Sequence, residues 1–245
     1  MMKGKVSILL ALILVISCCT ACGAVSNFPN NKALEDSPQW IVDLAKEHNA
    51  DQLFVVAGIG QTTAYISMHE QDASGKWYTI MTTPGYIGKY GLGKTKEGDG
   101  MTPVGSFRFT EAFGIADNPG TTKYNYKKVT DDDWWSGDVN YKYNQMVNIK
   151  DYPDLSKDDS EHIIDYTYQY KYAMNISYNQ SGEAGKGSAI FLHCLGPYKP
   201  YTGGCVAIPE DKMVTVLKNV DRDCIVVIDS LKNLSPETWD EWGLN

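Results

Sequence analysis

The stretch that most constrains this chain is residues 188–209, S-A-I-F-L-H-C-L-G-P-Y-K-P-Y-T-G-G-C-V-A-I-P. A short apolar run over 189–192 ends on His193. A loop rich in Gly, Pro and Tyr follows, and it closes on Gly203-Gly204-Cys205 and a second apolar run over 206–208. Short apolar runs bounded by turn residues read as buried strands. His193 is therefore expected at one strand end and Cys205 at the start of the next. A Gly-Pro loop can fold those ends together and set an imidazole against a thiol, which is how a cysteine nucleophile is activated. The N–H groups of Gly204 and Cys205 are candidates for an oxyanion hole, since glycine lets backbone approach a substrate closely. Taken singly, His193 also reads as a strand-end histidine on a carbonyl, and Cys205 as a small buried turn residue. Beside a Gly-Gly pair, the two together favour catalysis.

The cysteine count supports a free thiol. Six cysteines are present, three of them before residue 23, which leaves Cys194, Cys205 and Cys224. An odd number in an exported domain leaves at least one unpaired. Cys205 is the candidate. Cys194 and Cys224 lie in apolar runs and read as buried free thiols, with pairing between them as the alternative. Net charge is −8, and no Lys/Arg-rich run is visible, so nucleic acid is not an expected partner. Sixteen Tyr and six Trp fit a β-rich core that uses aromatics.

The N-terminus points outward. Lys3 and Lys5 precede an apolar run over 6–16, which is short for a bilayer span. Ser17-Cys18-Cys19-Thr20-Ala21-Cys22-Gly23 follows and resembles a bacterial lipoprotein signal, in which a small residue precedes the lipidated cysteine. Cys22 has the small residues but Cys19 where an aliphatic is usual, whereas Cys18 has Val15 and Ile16 in place. Both stay open as lipidation sites, and an uncleaved anchor helix is the alternative. Each reading exports the domain. The expected location is the cell envelope, lipid-anchored to the cytoplasmic membrane, with 1–22 as the signal segment and polar 23–36 as a tether.

A domain is expected over 37–230, with a tail over 231–245. Ser37-Pro38 reads as an N-cap with Pro at the first helical position, and Trp40, Ile41, Leu44 and Ala45 give one apolar face up to about 48. Strands are expected at 53–59, 64–69, 77–82 and 107–110. His48 and His69 read as surface residues. Residues 88–95, G-K-Y-G-L-G-K-T, match the P-loop string G-x-x-x-x-G-K-[ST]. The following K-E-G-D-G-M-T-P cannot start the helix that would hold phosphate, so the match is by chance and no nucleotide is expected. Residues 114–187 read as a variable insertion whose carboxylates lack the calcium-loop spacing, so no metal is expected. Within it, 163–172 and 173–178 have strand-like composition, and His162 is a candidate substrate contact. A helix is expected over 211–220 and a last strand over 224–228.

These residues resemble the L,D-transpeptidase family of bacterial cell-wall enzymes. That family has an upstream His, a variable loop, then Ser/Thr-His-Gly-Cys. Here the match is His193, eleven intervening residues counting to the nucleophile, then Thr202-Gly203-Gly204-Cys205. Gly-Leu-Gly-Lys and Thr-Pro-Val-Gly-Ser-Phe also look like the family's strand-and-turn region. The resemblance covers roughly residues 52–110 and 185–230 and departs twice: Gly203 replaces the second His, and Ala207 stands where Arg or Asn is usual. It implies a mainly β fold: a twisted β-sandwich of mixed sheets, with a helix after the nucleophile and a short N-terminal helix. It implies Cys205 as nucleophile and His193 as base, acting on peptidoglycan stem peptides without a cofactor. Cys205 would attack the third stem residue, expel D-alanine and pass the acyl group to an amine, giving a 3→3 cross-link, or to water. Thr202, Gly203, Tyr198 and Tyr201 are then candidate substrate contacts. The rival is a catalytically impaired wall-binding lipoprotein on the same fold. A papain-like peptidase does not fit, because there the Cys precedes the His.

Overall fold

Seven consecutive buried residues in Gln52–Gly58 show why a nearly unbroken apolar run makes a central strand here. Phe54 and Val56 face one apolar cluster, while Leu53, Val55 and Ala57 face another. Alternation of side chains across the strand gives each cluster its share. The computed structural model describes residues 34–244. The expectations for segment 1–22, for Cys18 and Cys22, and for most of the tether lie outside the described residues.

In chain order the elements are β1 (Glu35–Asp36), α1 (Gln39–His48), β2 (Gln52–Gly58), β3 (Thr63–Gln71), β4 (Trp77–Tyr86), β5 (Gly105–Gly114), β6 (Tyr126–Lys128), β7 (Asp133–Ser136), β8 (Gln145–Asn148) and β9 (Glu161–His162). Two 3₁₀ turns follow at Ile163–Asp165 and Gln169–Lys171. The chain ends through β10 (Ala173–Ile176), β11 (Phe191–Cys194), β12 (Val206–Ile208), α2 (Glu210–Asn219), β13 (Ile225–Ser230), α3 (Leu231–Leu234) and α4 (Pro236–Glu241). The main sheet runs β4-β12-β11-β10-β5-β13-β2-β3, and β3 pairs again with β4, so the sheet closes on itself. Pairs β11–β12 and β13–β2 are parallel, whereas β2–β3, β3–β4, β10–β11 and β5–β13 are antiparallel. This is the expected mainly β architecture of mixed sheets.

Side chains from the inner faces, among them Phe54, Ile66, Met174, Leu192, Val206 and Ile228, meet in one cluster, where α2 adds Met213, Val216 and Leu217. α1 covers the other face of β2 with Ile41, Leu44 and Ala45. Burial at this level stabilises by about 1.5–3 kcal/mol per large side chain. The helix after Cys205 and the helix before β2 are both where the sequence puts them. The cap of α1 differs from expectation: Pro38 occupies the N-cap position, and Ser37 Oγ instead meets His69 Nδ1 at 2.9 Å.

Three expectations are corrected and one is made more specific. His69 is 1% exposed, because β3 continues two residues past it to Gln71. Residues 163–172 are not a strand: the two 3₁₀ turns there bury Ile163 and Tyr170 in a third cluster with Phe113, Trp135, Phe191 and Cys205. The stretch 114–187 is not wholly an insertion, since β10 pairs with β5 and β11 inside the main sheet. Its outlying part forms a separate sheet, β8-β7-β9. The tail expected over 231–245 carries two short helices in its described part. Ser230 and Ser235 hydroxyls cap α3 and α4, and Leu231 is fully buried against β2. Among the described residues no helix is long and apolar enough to cross a membrane.

Candidate active site

β11 and β12 lie side by side and run in the same direction, with Leu192 opposite Val206 and His193 opposite Ala207. The sequence expectation of two facing strand ends is corrected by this register. The 195–205 loop carries the chain back along the sheet. Cys205 enters β12 two residues before Ala207, so it shares a sheet face with His193 one step further back. Both line one cleft of about 770 Å³. Ala207 lines it too, so the family's polar position faces this space.

His193 is buried, and its Nδ1 lies 2.7 Å from the Cys194 carbonyl. A carbonyl only accepts, so Nδ1 carries the proton and the Nε2 lone pair is left to act as a base. Burial pulls the imidazole down to about 4, with the carbonyl contact opposing that fall. Burial also pushes the Cys205 thiol up to about 12, and the Glu161 carboxylate adds to the rise. The resting pair is therefore neutral imidazole and neutral thiol. The Cys205 S–H donates to Ala189 O at 3.1 Å, and Phe191 N–H donates to Sγ at 3.3 Å. Among the described residues no hydrogen bond joins Sγ to His193. A hydrogen bond between Sγ and Nε2 would require Cys205 to rotate away from Ala189. Ala189 itself has φ +53, uncommon outside glycine, and Asn144 of the insertion accepts its N–H at 3.0 Å.

The loop before Cys205 is fastened by hydroxyls. Thr202 Oγ1 accepts from Gly204 N–H at 3.1 Å and donates to Cys205 O at 2.6 Å. Thr102 Oγ1 donates to the same carbonyl at 3.3 Å. Thr202 N–H donates to Ile87 O, and Lys89 N–H to Thr202 O. These bonds correct two expectations. The Thr202 hydroxyl is used inside the loop rather than toward a substrate, and the Gly204 N–H is already occupied rather than free for an oxyanion. Gly204 has φ +145, and a Cβ there would stand 2.8 Å from Met101 O, so a glycine is required. Gly203 lines the cleft, and a Cβ there would meet nothing within 4 Å.

Tyr198 and Tyr201 both line the cleft. Tyr198 is 82% exposed on the rim, edge-on to Tyr168, and Lys89 Nζ lies 5.8 Å over the Tyr201 ring. His162 is not among the cleft residues. Its ring stacks on Trp134 at 4.4 Å, with Nδ1 3.1 Å from an Asp165 oxygen and Nε2 2.8 Å from Asp131 O. Alternation along β9 sends His162 outward and its neighbour Glu161 into the cleft.

Sequence reasoning missed Glu161, Tyr170 and Lys94. Tyr170 is buried, donates to Glu161 Oε2 at 2.5 Å and meets the His193 ring edge-on at 5.6 Å. The cleft residue of β9 is Glu161, one position before His162, and nothing local in the sequence marks Tyr170. Lys94, the lysine of the P-loop-like string, pairs with Asp99 at 3.0 Å, both side chains under 10% exposed at 2% and 7%. Residues 95–104 contain no helix to receive a phosphate. Among the described residues no three His, Cys, Asp or Glu converge on a metal position.

A family model described as the L,D-transpeptidase catalytic domain (YkuD) matches residues 54–228. No curated protein matches. Among solved structures the chain is similar to the helical cell shape determining protein Pgp2 from Campylobacter jejuni, at 16% identity and TM-score 0.41, over 74% of this chain and 48% of that one. It is also similar to an L,D-transpeptidase from Mycobacterium smegmatis, at 14% identity and TM-score 0.34, over 74% of this chain and 59% of that one. The chain thus spans less than two thirds of the length of either. The family model covers well over half of the chain, from β2 to β13, and takes in both His193 and Cys205: the chain belongs to the L,D-transpeptidase catalytic domain family.

Proposed function

We propose that this protein is a peptidoglycan L,D-transpeptidase working through a Cys205 acyl-enzyme, lipid-anchored by Cys22 or Cys18 and facing the cell wall. The observation that carries the reading is the placement of Cys205 and His193 on one cleft wall, with Nδ1 held by the Cys194 carbonyl. In the first half-reaction Nε2 takes the thiol proton as Sγ bonds to the carbonyl carbon of the third stem residue. The C–N bond to D-alanine then breaks, and the imidazolium returns the proton to the leaving amine. In the second half-reaction an amine of a neighbouring stem attacks the thioester. Its proton passes through His193 to Sγ, restoring the thiol and leaving a 3→3 cross-link. Water in place of the amine gives a tripeptide. No metal or cofactor enters either step. Neutral resting partners suit proton transfer in concert with attack better than a standing ion pair.

A second reading has its own observation. The thiol donates to Ala189 rather than to His193, and Gly203 and Ala207 remove two polar groups of the family motif. A protein that cannot leave this arrangement would bind wall without cross-linking it. Incubating the protein with purified muropeptides and reading products by mass spectrometry separates the two. Cross-linked dimers or tripeptides that vanish in Cys205→Ala support the enzyme, whereas unchanged muropeptides with retained binding support the wall-binding form.

A further inference from the structure

Glu161 reaches the cleft from the insertion, next to neither catalytic residue in sequence. It is joined to Tyr170 at 2.5 Å, and the Tyr170 ring touches both Phe191 and His193 edge-on, at 5.4 and 5.6 Å. Glu161, Tyr170, His193 and Cys205 all line the same cleft. β9 is held there by its pairing with β7, where Glu161 stands opposite Trp135, itself a cleft residue. A carboxylate placed this way opposes a second negative charge on the same wall.

We propose that Glu161 is a positioning residue that restrains the Cys205 thiol: its negative charge opposes thiolate formation, and its protonation releases that restraint. This deepens the acyl-transfer reading above and rests on it for its functional meaning. Burial holds the Glu161 carboxyl up at about 7, with the Tyr170 hydroxyl pulling it back and the Glu97 carboxylate raising it further. The switch therefore lies within the working range of pH. The groups that face Glu161 are few. Tyr166, Asp165 and Tyr170 come from the turns after β9, and Asp159 from the turn before it. Glu97 and Lys94 come from the loop between β4 and β5, with His193 and Cys205 opposite. Lys94 is committed to Asp99, so it leaves the Glu161 charge unpaired.

The test is the alkylation rate of Cys205 by iodoacetamide, followed on the Cys205 peptide by mass spectrometry from pH 6 to pH 9, in the wild type, Glu161→Gln and Tyr170→Phe. A nearby like charge moves a thiol by about one pK unit, so Glu161→Gln should react about tenfold faster at pH 9. At pH 6 the ratio should fall below about twofold, because the wild-type carboxyl is then protonated. Tyr170→Phe keeps the ring, removes the bond that favours the carboxylate, and should move the inflection of the wild-type profile to higher pH. A variant-to-wild-type ratio independent of pH, a slower Glu161→Gln at pH 9, or an inflection unmoved in Tyr170→Phe would overturn the inference. Alkylation needs no peptidoglycan. A protein that alkylates as described but transfers no acyl group leaves this inference standing and sinks the acyl-transfer reading; turnover of muropeptides with a flat ratio does the reverse.

Discussion

Replacing Asp99 by Asn should unfold the loop that braces Cys205. Asp99 Oδ1 accepts from Lys94 Nζ at 3.0 Å and Met101 N–H at 3.1 Å, while Oδ2 accepts from Thr95 N–H at 2.8 Å and Lys96 N–H at 3.0 Å. These bonds outweigh burial and hold the carboxyl down at about 2. In an amide, whichever oxygen becomes NH₂ sets a donor against two donors. The Lys94 ammonium, 2% exposed, then has no counter-charge. It cannot swing away easily, since a Cβ on Gly187 would already lie 2.3 Å from Lys94 Cε. Removing one partner of a buried pair costs about 3–5 kcal/mol, mostly for the charge left behind. Removing that charge too, in Asp99→Asn/Lys94→Met, should recover about 2 kcal/mol or more. Lys94→Met alone should cost less than Asp99→Asn, because the three backbone donors keep their acceptor. Urea unfolding followed by tryptophan fluorescence gives all four corners of the cycle. A loss below about 1 kcal/mol in Asp99→Asn, or a double variant worse than the single by the full cost of Lys94→Met, would refute the reasoning.

Burial also pulls His69 down to about 4. The folded protein keeps this imidazole neutral while the unfolded chain takes up a proton below about 6.5. The His69 contribution, read by urea unfolding as the difference between wild type and His69→Gln, should thus be flat above that pH and change by on the order of 3 kcal/mol between pH 6.5 and 4, since His193 and Glu161 titrate in both proteins alike. Gly203→His should fold with stability within about 0.5 kcal/mol of wild type, since the position opens on empty space, whereas Gly204→Ala should lose about 1–3 kcal/mol at φ +145. Cys194→Ala and Cys224→Ala should retain turnover on muropeptides, for both thiols are free and buried away from the cleft. A Cys18/Cys22 double substitution should move the protein from the membrane to the soluble fraction of its host; full retention in membranes would remove the lipoprotein reading.

That His193 and Cys205 share one cleft was legible because two apolar runs and a Gly-Gly pair mark strands and a tight turn without reference to the rest of the chain. Their parallel direction was not. Composition says which residues are buried, but direction depends on which neighbour offers a free hydrogen-bonding edge, here β4 and β10. Tyr170 was invisible for a related reason. The run Tyr166 to Tyr172 alternates like a strand, yet Phe113, Trp135 and Phe191 provide an aromatic pocket that takes Tyr170 from a 3₁₀ turn instead. Tertiary packing overrides β propensity in such cases. The hydroxyls of Thr202 and Ser37 went to intraprotein partners, which spacing alone does not distinguish from substrate contact or a helix cap.

Intact-mass measurement of carbapenem acylation decides whether Cys205 is an acylatable nucleophile assisted by His193. The strained carbonyl of this class makes it a suitable probe for such a thiol. One adduct per chain is expected, mapped to the peptide holding Cys205. His193→Ala should slow its formation by about 10²–10⁴, the range for a positioned acid–base group. His162→Ala should change the rate little, because that ring stacks on Trp134 outside the cleft. An adduct on Cys194, a rate indifferent to His193, or no adduct on the folded protein would contradict the account.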